Sequence, residues 1–271
     1  DLLPQEWSEN ADFNYELLES NEGGGMDYTI FNVSGNSPQS DFSPTFYSDD
    51  RILFSSGRPE KDRQTYSPSG ESYLDIFVGK LNGNGDVQNS NRFTGIPVSN
   101  FHKSTPYFSK DLNEIFYVLS NTADGELVYD QNGKNALAIG LAGYNGSFEY
   151  ILKDLSTSFY YPFYEAKTQR LYFVANFEEG YGGTDIYYVN TNNGQIMSSP
   201  VNLGPRINSP GNEIAPYIFN NSLYFSSDVF YGLGGMDIYK SNIMDVDKFS
   251  IPINLGRGIN TTSDDFGFII R

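Results

Sequence analysis

The chain has 271 residues, with 34 Asp and Glu against 17 Lys and Arg, one His, no Cys and a formal net charge of −17. A surface this acidic repels phosphate backbones, so nucleic acid is excluded as an expected partner. The lack of Cys excludes disulfides, thiolate metal sites and cysteine nucleophiles. Tyr and Phe at 21 each can fill a core, and no apolar run nears the ~18 residues of a membrane-spanning helix, so membrane insertion by this domain is not expected.

The sequence opens at Asp1 with no charged-then-apolar leader, the mark of a processed product or an excised fragment. Residues 1–12 read as a lead-in, and 13–271 as a single domain. Tyr15-Glu16-Leu17-Leu18 matches the second strand of a unit that recurs downstream, and Gly24-Gly25-Met26-Asp27-Tyr28 matches its third-strand block. Complete units follow at about 41–100, 101–156, 157–210 and 211–262. Each opens on a short aromatic segment holding Pro44, Pro106, Pro162 or Pro216, followed by an apolar run such as Ile52-Leu53-Phe54 or Leu223-Tyr224-Phe225. A third strand begins at Asp75-Ile76-Phe77, Asp185-Ile186-Tyr187 and Asp237-Ile238-Tyr239; the second unit lacks the Asp and uses Leu137-Ala138-Ile139. The last two units are close copies, since Asn202-Leu203-Gly204 and Asp185-Ile186-Tyr187 both return 52 residues on. Residues 263–271 supply a lone first strand.

Units of ~50 residues holding about four short strands are propeller blades. The expected fold is all-β: a five-bladed β-propeller in which 263–271 and 13–40 share the closing blade and leave no open sheet edge. No stretch has the periodicity of a helix.

Ser43-Pro44-Thr45-Phe46, Ile52-Leu53-Phe54-Ser55-Ser56, Arg58 and Asp75-Ile76-Phe77 resemble the TolB-like class of WD40-like propeller repeats. Asn202-Leu203-Gly204-Pro205-Arg206-Ile207-Asn208-Ser209-Pro210, with Glu213 and Pro216, is similar to the propeller of OmpA-family envelope proteins that resemble type IX secretion and gliding-motility components. The resemblance implies a periplasmic or outer-membrane-associated location in a Gram-negative bacterium, with other envelope proteins as partners. Peptidoglycan binding is not expected of this domain, because no OmpA-like peptidoglycan-binding sequence is present.

Asp27, Asp75, Asp185 and Asp237 recur blade after blade, which points to a structural turn Asp that accepts backbone N–H groups where a Gly-rich turn enters a strand. No catalytic residue, metal site or cofactor is assigned. Two long loops are the candidates for partner binding: Arg58, Lys61, Arg63 and Tyr66 on one, and Tyr129 on the insertion Asn121 to Asn135. The resulting expectation is a non-catalytic interaction or scaffold module, not an enzyme. The alternative is a five-bladed-propeller glycoside hydrolase or carbohydrate-binding protein using funnel carboxylates, for which Asp41, Glu165, Glu213, Asp264 and Asp265 are the candidates.

Overall fold

A computed structural model describes residues 3–20, 28–61 and 63–271. They divide into two compact units, one made of Phe31–Leu171 and Thr191–Met197, the other of Asp1–Ile30, Tyr172–Asn190 and Ser198–Arg271. Below these are the first and the second unit.

Helix α1 spans Gln5–Glu19. In blade 1, β1 (Asp41–Ser48), β2 (Arg51–Ser56), β3 (Asp75–Leu81) and β4 (Val87–Arg92) follow one another as an antiparallel meander. Blade 2 contains β5 (Lys103–Ser109), β6 (Glu114–Ser120), β9 (Leu137–Gly143) and β10 (Phe148–Leu152); the hairpin β7 (Thr122–Ala123) and β8 (Glu126–Leu127) lies on the insertion. Blade 3 has the order β11 (Phe159–Glu165), β12 (Arg170–Ala175), β13 (Asp185–Asn192) and β14 (Gln195–Ile196), with β15 (Val201–Asn202) also on β13. Blade 4 repeats this as β16 (Glu213–Phe219), β17 (Ser222–Ser227), β18 (Asp237–Asp245) and β19 (Lys248–Phe249), with β20 (Ile253–Asn254) on β18. The described residues form an all-β propeller with four blades.

The second strands β2, β6, β12 and β17 are buried almost end to end. Both of their faces meet apolar neighbours, so they read as continuous apolar runs without alternation. In the first unit, Leu53, Ile76, Ile115, Tyr117 and Ala138 share one core cluster. The first strands share a feature at their prolines. Proline cannot donate to the ladder, and the register of β1, β5 and β16 slips across Pro44, Pro106 and Pro216. The residue before each Pro takes a positive φ: Ser43 at 50°, Thr105 at 41°, Tyr161 at 48° and Ala215 at 54°. Non-Gly residues rarely occupy that region, and four equivalent cases make it a bulge built into the repeat.

Two expectations are corrected here. Tyr15 to Leu18, expected as a strand, lies in α1. The helix escapes hydrophobic periodicity because its buried residues are Asn10, Asn14 and Leu18, a stripe at every fourth position that is two-thirds polar. The shared fifth blade also does not form as a sheet among the described residues, since 28–33 and 263–271 hold no strand. The C-terminal segment still carries the marks of a first strand. Asp265 N donates to Met236 O at 2.6 Å, as Glu213 N does to Thr184 O and Lys103 N to Leu74 O, and Gly267 has the bulge φ of 74°. The Gly24-to-Asp27 block lies outside the described residues.

Candidate functional site

Blade 1 begins its third strand at Asp75, whose buried carboxylate is ion-paired to Arg92 Nε at 2.7 Å, Arg63 Nη1 at 2.9 Å and Lys103 Nζ at 2.9 Å. Three cations therefore converge on one carboxylate in a chain of charge −17. Lys103 stands at the head of β5, where the corresponding residues are Asp41 in β1 and Glu213 in β16. Burial holds its ammonium pKa below the ordinary lysine value, with the Asp75 charge only partly opposing it. Its other contact is Pro97 O at 3.2 Å.

Lys103 lines a cleft of 370 Å³ walled by the rings of Phe101, Tyr117, Phe148 and Tyr150 and edged by Ser120 and Thr122. Phe148 and Tyr150 meet edge-on at 5.1 Å. Thr122 Oγ1 and the Tyr150 hydroxyl are 2.9 Å apart, and Lys153 Nζ sits 4.2 Å from the Tyr150 ring centroid. The rim at 97–101 is held by Arg63, which donates to Ser99 O at 3.1 Å and Phe101 O at 3.2 Å as well as to Tyr73 O and Leu74 O. Beside it, His102 Nδ1 accepts Leu74 N at 3.0 Å, and burial with the Arg63 charge pushes the imidazole pKa down to about 4. Rings, hydroxyls and a buried ammonium around one cleft suit a polar ligand with flat apolar faces and a negative charge.

Three of the five loop residues expected to bind partners already make contacts within the chain. Arg58 pairs with Asp41 at 2.8 Å, donates to Gly35 O and lies over Phe77 at 4.9 Å. Arg63 is only 3% exposed in its side chain and anchors the cleft rim. Tyr66 packs edge-on against His102 at 4.5 Å and against Tyr73 at 5.2 Å. Lys61 and Tyr129 are exposed. Sequence reading missed Lys103, Phe148 and Tyr150. The available signal was a Lys at a first-strand head that is a carboxylate, Asp41 or Glu213, in blades 1 and 4.

Among the turn aspartates, Asp185 accepts Tyr181 N at 2.7 Å, and Asp237 accepts Leu233 N at 2.5 Å and Gly234 N at 3.0 Å. Asp27 is outside the described residues. The first-strand carboxylates share a different device, in which the Ser or Thr four residues earlier donates both N–H and hydroxyl. Ser37 serves Asp41, Ser209 serves Glu213 and Thr261 serves Asp265. Glu213 is fully buried, takes a further bond from Ser227 Oγ at 2.7 Å, and has its pKa pushed up to about 7 by desolvation against those hydrogen bonds. Asp41, also paired with Arg58, is held below the ordinary range although burial opposes it. Asp264 accepts Met236 N, and Glu165 accepts the Thr168 hydroxyl. No group of three or more His, Asp or Glu side chains suited to a metal occurs among the described residues. No helix there is long and apolar enough to cross a membrane.

No family profile matches the chain, and no curated protein does. Among solved structures it is similar to an endo-arabinase from Bacteroides thetaiotaomicron, with 12% identity, 83% of each chain covered and a TM-score of 0.48. It is also similar to a family 117 glycoside hydrolase from the marine bacterium Zobellia galactanivorans, with 12% identity, 85% of this chain and 74% of that one covered, and a TM-score of 0.46. A puromycin-hydrolyzing peptidase of Mycobacterium tuberculosis matches at 15% identity over 83% of this chain and 42% of that one, with a TM-score of 0.43. These neighbours are hydrolases by their descriptions, which stands against the expectation that the chain is not an enzyme; the likeness itself extends to the fold. At such identities no residue role passes from them to this chain.

Proposed function

We propose that the chain is a carbohydrate-directed propeller that holds an anionic sugar in the blade 2 cleft. The carrying observation is Lys103, a buried lysine of the Asp75 cation cluster that lines a cleft with four aromatic rings. Sugar rings lay their C–H faces on aromatic rings, and a uronate or sulfate group answers the ammonium. The hydroxyls of Ser120 and Thr122 supply partners for sugar hydroxyls. A panel of neutral, uronate-containing and sulfated oligosaccharides tests this: the acidic members should bind, and Tyr150→Ala should abolish binding while leaving the fold intact by circular dichroism. Binding of neutral and acidic sugars alike, or no binding, would refute it.

Hydrolysis is the second reading, favoured by Glu213. A carboxyl that keeps its proton to about pH 7 has the property required of a general acid. The same panel, scored for reducing-end release, decides it; turnover that survives Glu213→Gln would remove Glu213 from that role. A periplasmic or outer-membrane setting, with envelope proteins as neighbours, belongs to the proposal as its biological context.

A further inference from the structure

The pairs β13–β15 and β18–β20 are two copies of one device. In each, the edge-strand Asn donates to the third-strand Asp at 2.8 Å: Asn202 Nδ2 to Asp185 Oδ2 and Asn254 Nδ2 to Asp237 Oδ2. In each, its Oδ1 accepts the N–H of the following Gly, Gly204 or Gly256. Leu203 N and Leu255 N point inward to Ile186 O and Ile238 O. Alternation along a strand therefore turns the N–H groups of Asn202 and Asn254 outward. On β20 the outward group is used. Asn14 of α1 accepts Asn254 N on its Oδ1 at 2.7 Å and donates Nδ2 to Pro252 O at 2.8 Å. One side-chain carboxamide thus pairs with an edge donor and an edge acceptor, as an added strand would.

On β15 the equivalent residues, Pro200 and Asn202, line a cleft of 290 Å³ together with Phe177, Glu179, Ser199 and Tyr187. Beside it, the Tyr187 hydroxyl and the Asp185 carboxylate are buried together, with each other and the Asn202 side chain as their polar neighbours. In blade 4 the Tyr239 hydroxyl instead bonds to Phe230 O and Tyr231 O, and Asp237 Oδ1 accepts Gly234 N. The two copies also differ in one recognition residue. Tyr231 meets Tyr15 edge-on at 5.1 Å and donates to Glu19; the residue 52 positions before Tyr231 is the exposed Glu179.

We propose that the β15 cleft is a docking socket for a helix of a partner protein that presents an asparagine followed by a basic residue. The asparagine carboxamide pairs with Pro200 O and Asn202 N–H as Asn14 pairs on β20. The basic residue answers Glu179 where Tyr15 answers Tyr231. α1 is the template for the occupant, and a basic helix suits a chain of charge −17.

The test uses the whole chain and a fluorescent, helix-stapled peptide of residues 5–20 carrying Tyr15→Arg, titrated by anisotropy. Saturable binding is expected. It should fall about tenfold when the peptide also carries Asn14→Asp, since a carboxylate cannot donate to Pro200 O. Glu179→Lys in the chain should weaken the Arg peptide and restore affinity for a Tyr15→Glu peptide. Absence of binding, or binding that ignores the charge exchange at 179, overturns the proposal.

Discussion

Asp75 and Asp237 head the same strand of two blades, yet their charges are met in opposite ways. Asp237 is neutralised by dipoles: two turn amides, the Asn254 side chain, and behind it Asn260, whose carboxamide bonds to both backbone groups of Ile238. Seventeen residues after Asp237 stands Asn254; seventeen after Asp75 stands Arg92, and Arg63 and Lys103 join it. The amide solution closes on itself and leaves a structural turn. The cationic solution instead gathers three basic side chains around one buried carboxylate, beside an aromatic cleft. One repeated residue thus serves architecture in blade 4 and frames a site in blade 1.

The largest effect that separates the two regions is loss of the carboxylate. Asp75→Asn removes the carboxylate that buried Arg63 and Lys103 both pair with and should destabilise the first unit by about 3–5 kcal/mol. Asp237→Asn removes only charge from amide-donor bonds and should have an effect of about 1–2 kcal/mol. Urea denaturation of both variants checks the ratio, and equal losses would break the comparison.

Proton linkage sharpens it. Glu213 is raised from 4.5 to about 7, so its contribution is fully present below pH 4.5 and is lost as pH rises through 7, amounting to about 3 kcal/mol. His102 is lowered from 6.5 to about 4, so the folded state is favoured above pH 6.5 and loses that advantage as pH falls toward 4, by about 2 kcal/mol after solvent screening. Urea denaturation of Glu213→Gln between pH 5 and 8 should show the variant gaining on the parent chain as pH rises. His102→Gln should gain on it as pH falls. A smaller effect is expected at the helix: Asn14→Ala should lower stability by about 1–2 kcal/mol by leaving Asn254 N–H and Pro252 O unpaired.

The blade repeat was legible because 52-residue self-similarity survives in the very residues that make turns and strands, Asn202 and Asn254 among them. Helix α1 was not, since its docking face uses Asn10 and Asn14 in place of apolar residues. Arg58 and Arg63 read as a free basic cluster because sequence shows charge and not partners; each is committed to a carboxylate and to backbone carbonyls. The cleft stayed hidden because Phe148 and Tyr150 look like the aromatic residues that pack every blade. Only the adjacency of Lys103, brought by β5, distinguishes them.

The central claim is that Lys103, buried against Asp75 at the edge of the aromatic cleft, selects an acidic sugar. Calorimetric titration with an oligouronate and with a neutral oligosaccharide of equal length, on the parent chain and on Lys103→Met, tests it most directly. The account predicts binding of the oligouronate alone, lost in Lys103→Met while Asp75 remains paired with Arg63 and Arg92 and the variant stays folded. Equal affinity for both sugars, or unchanged oligouronate binding by folded Lys103→Met, would contradict it.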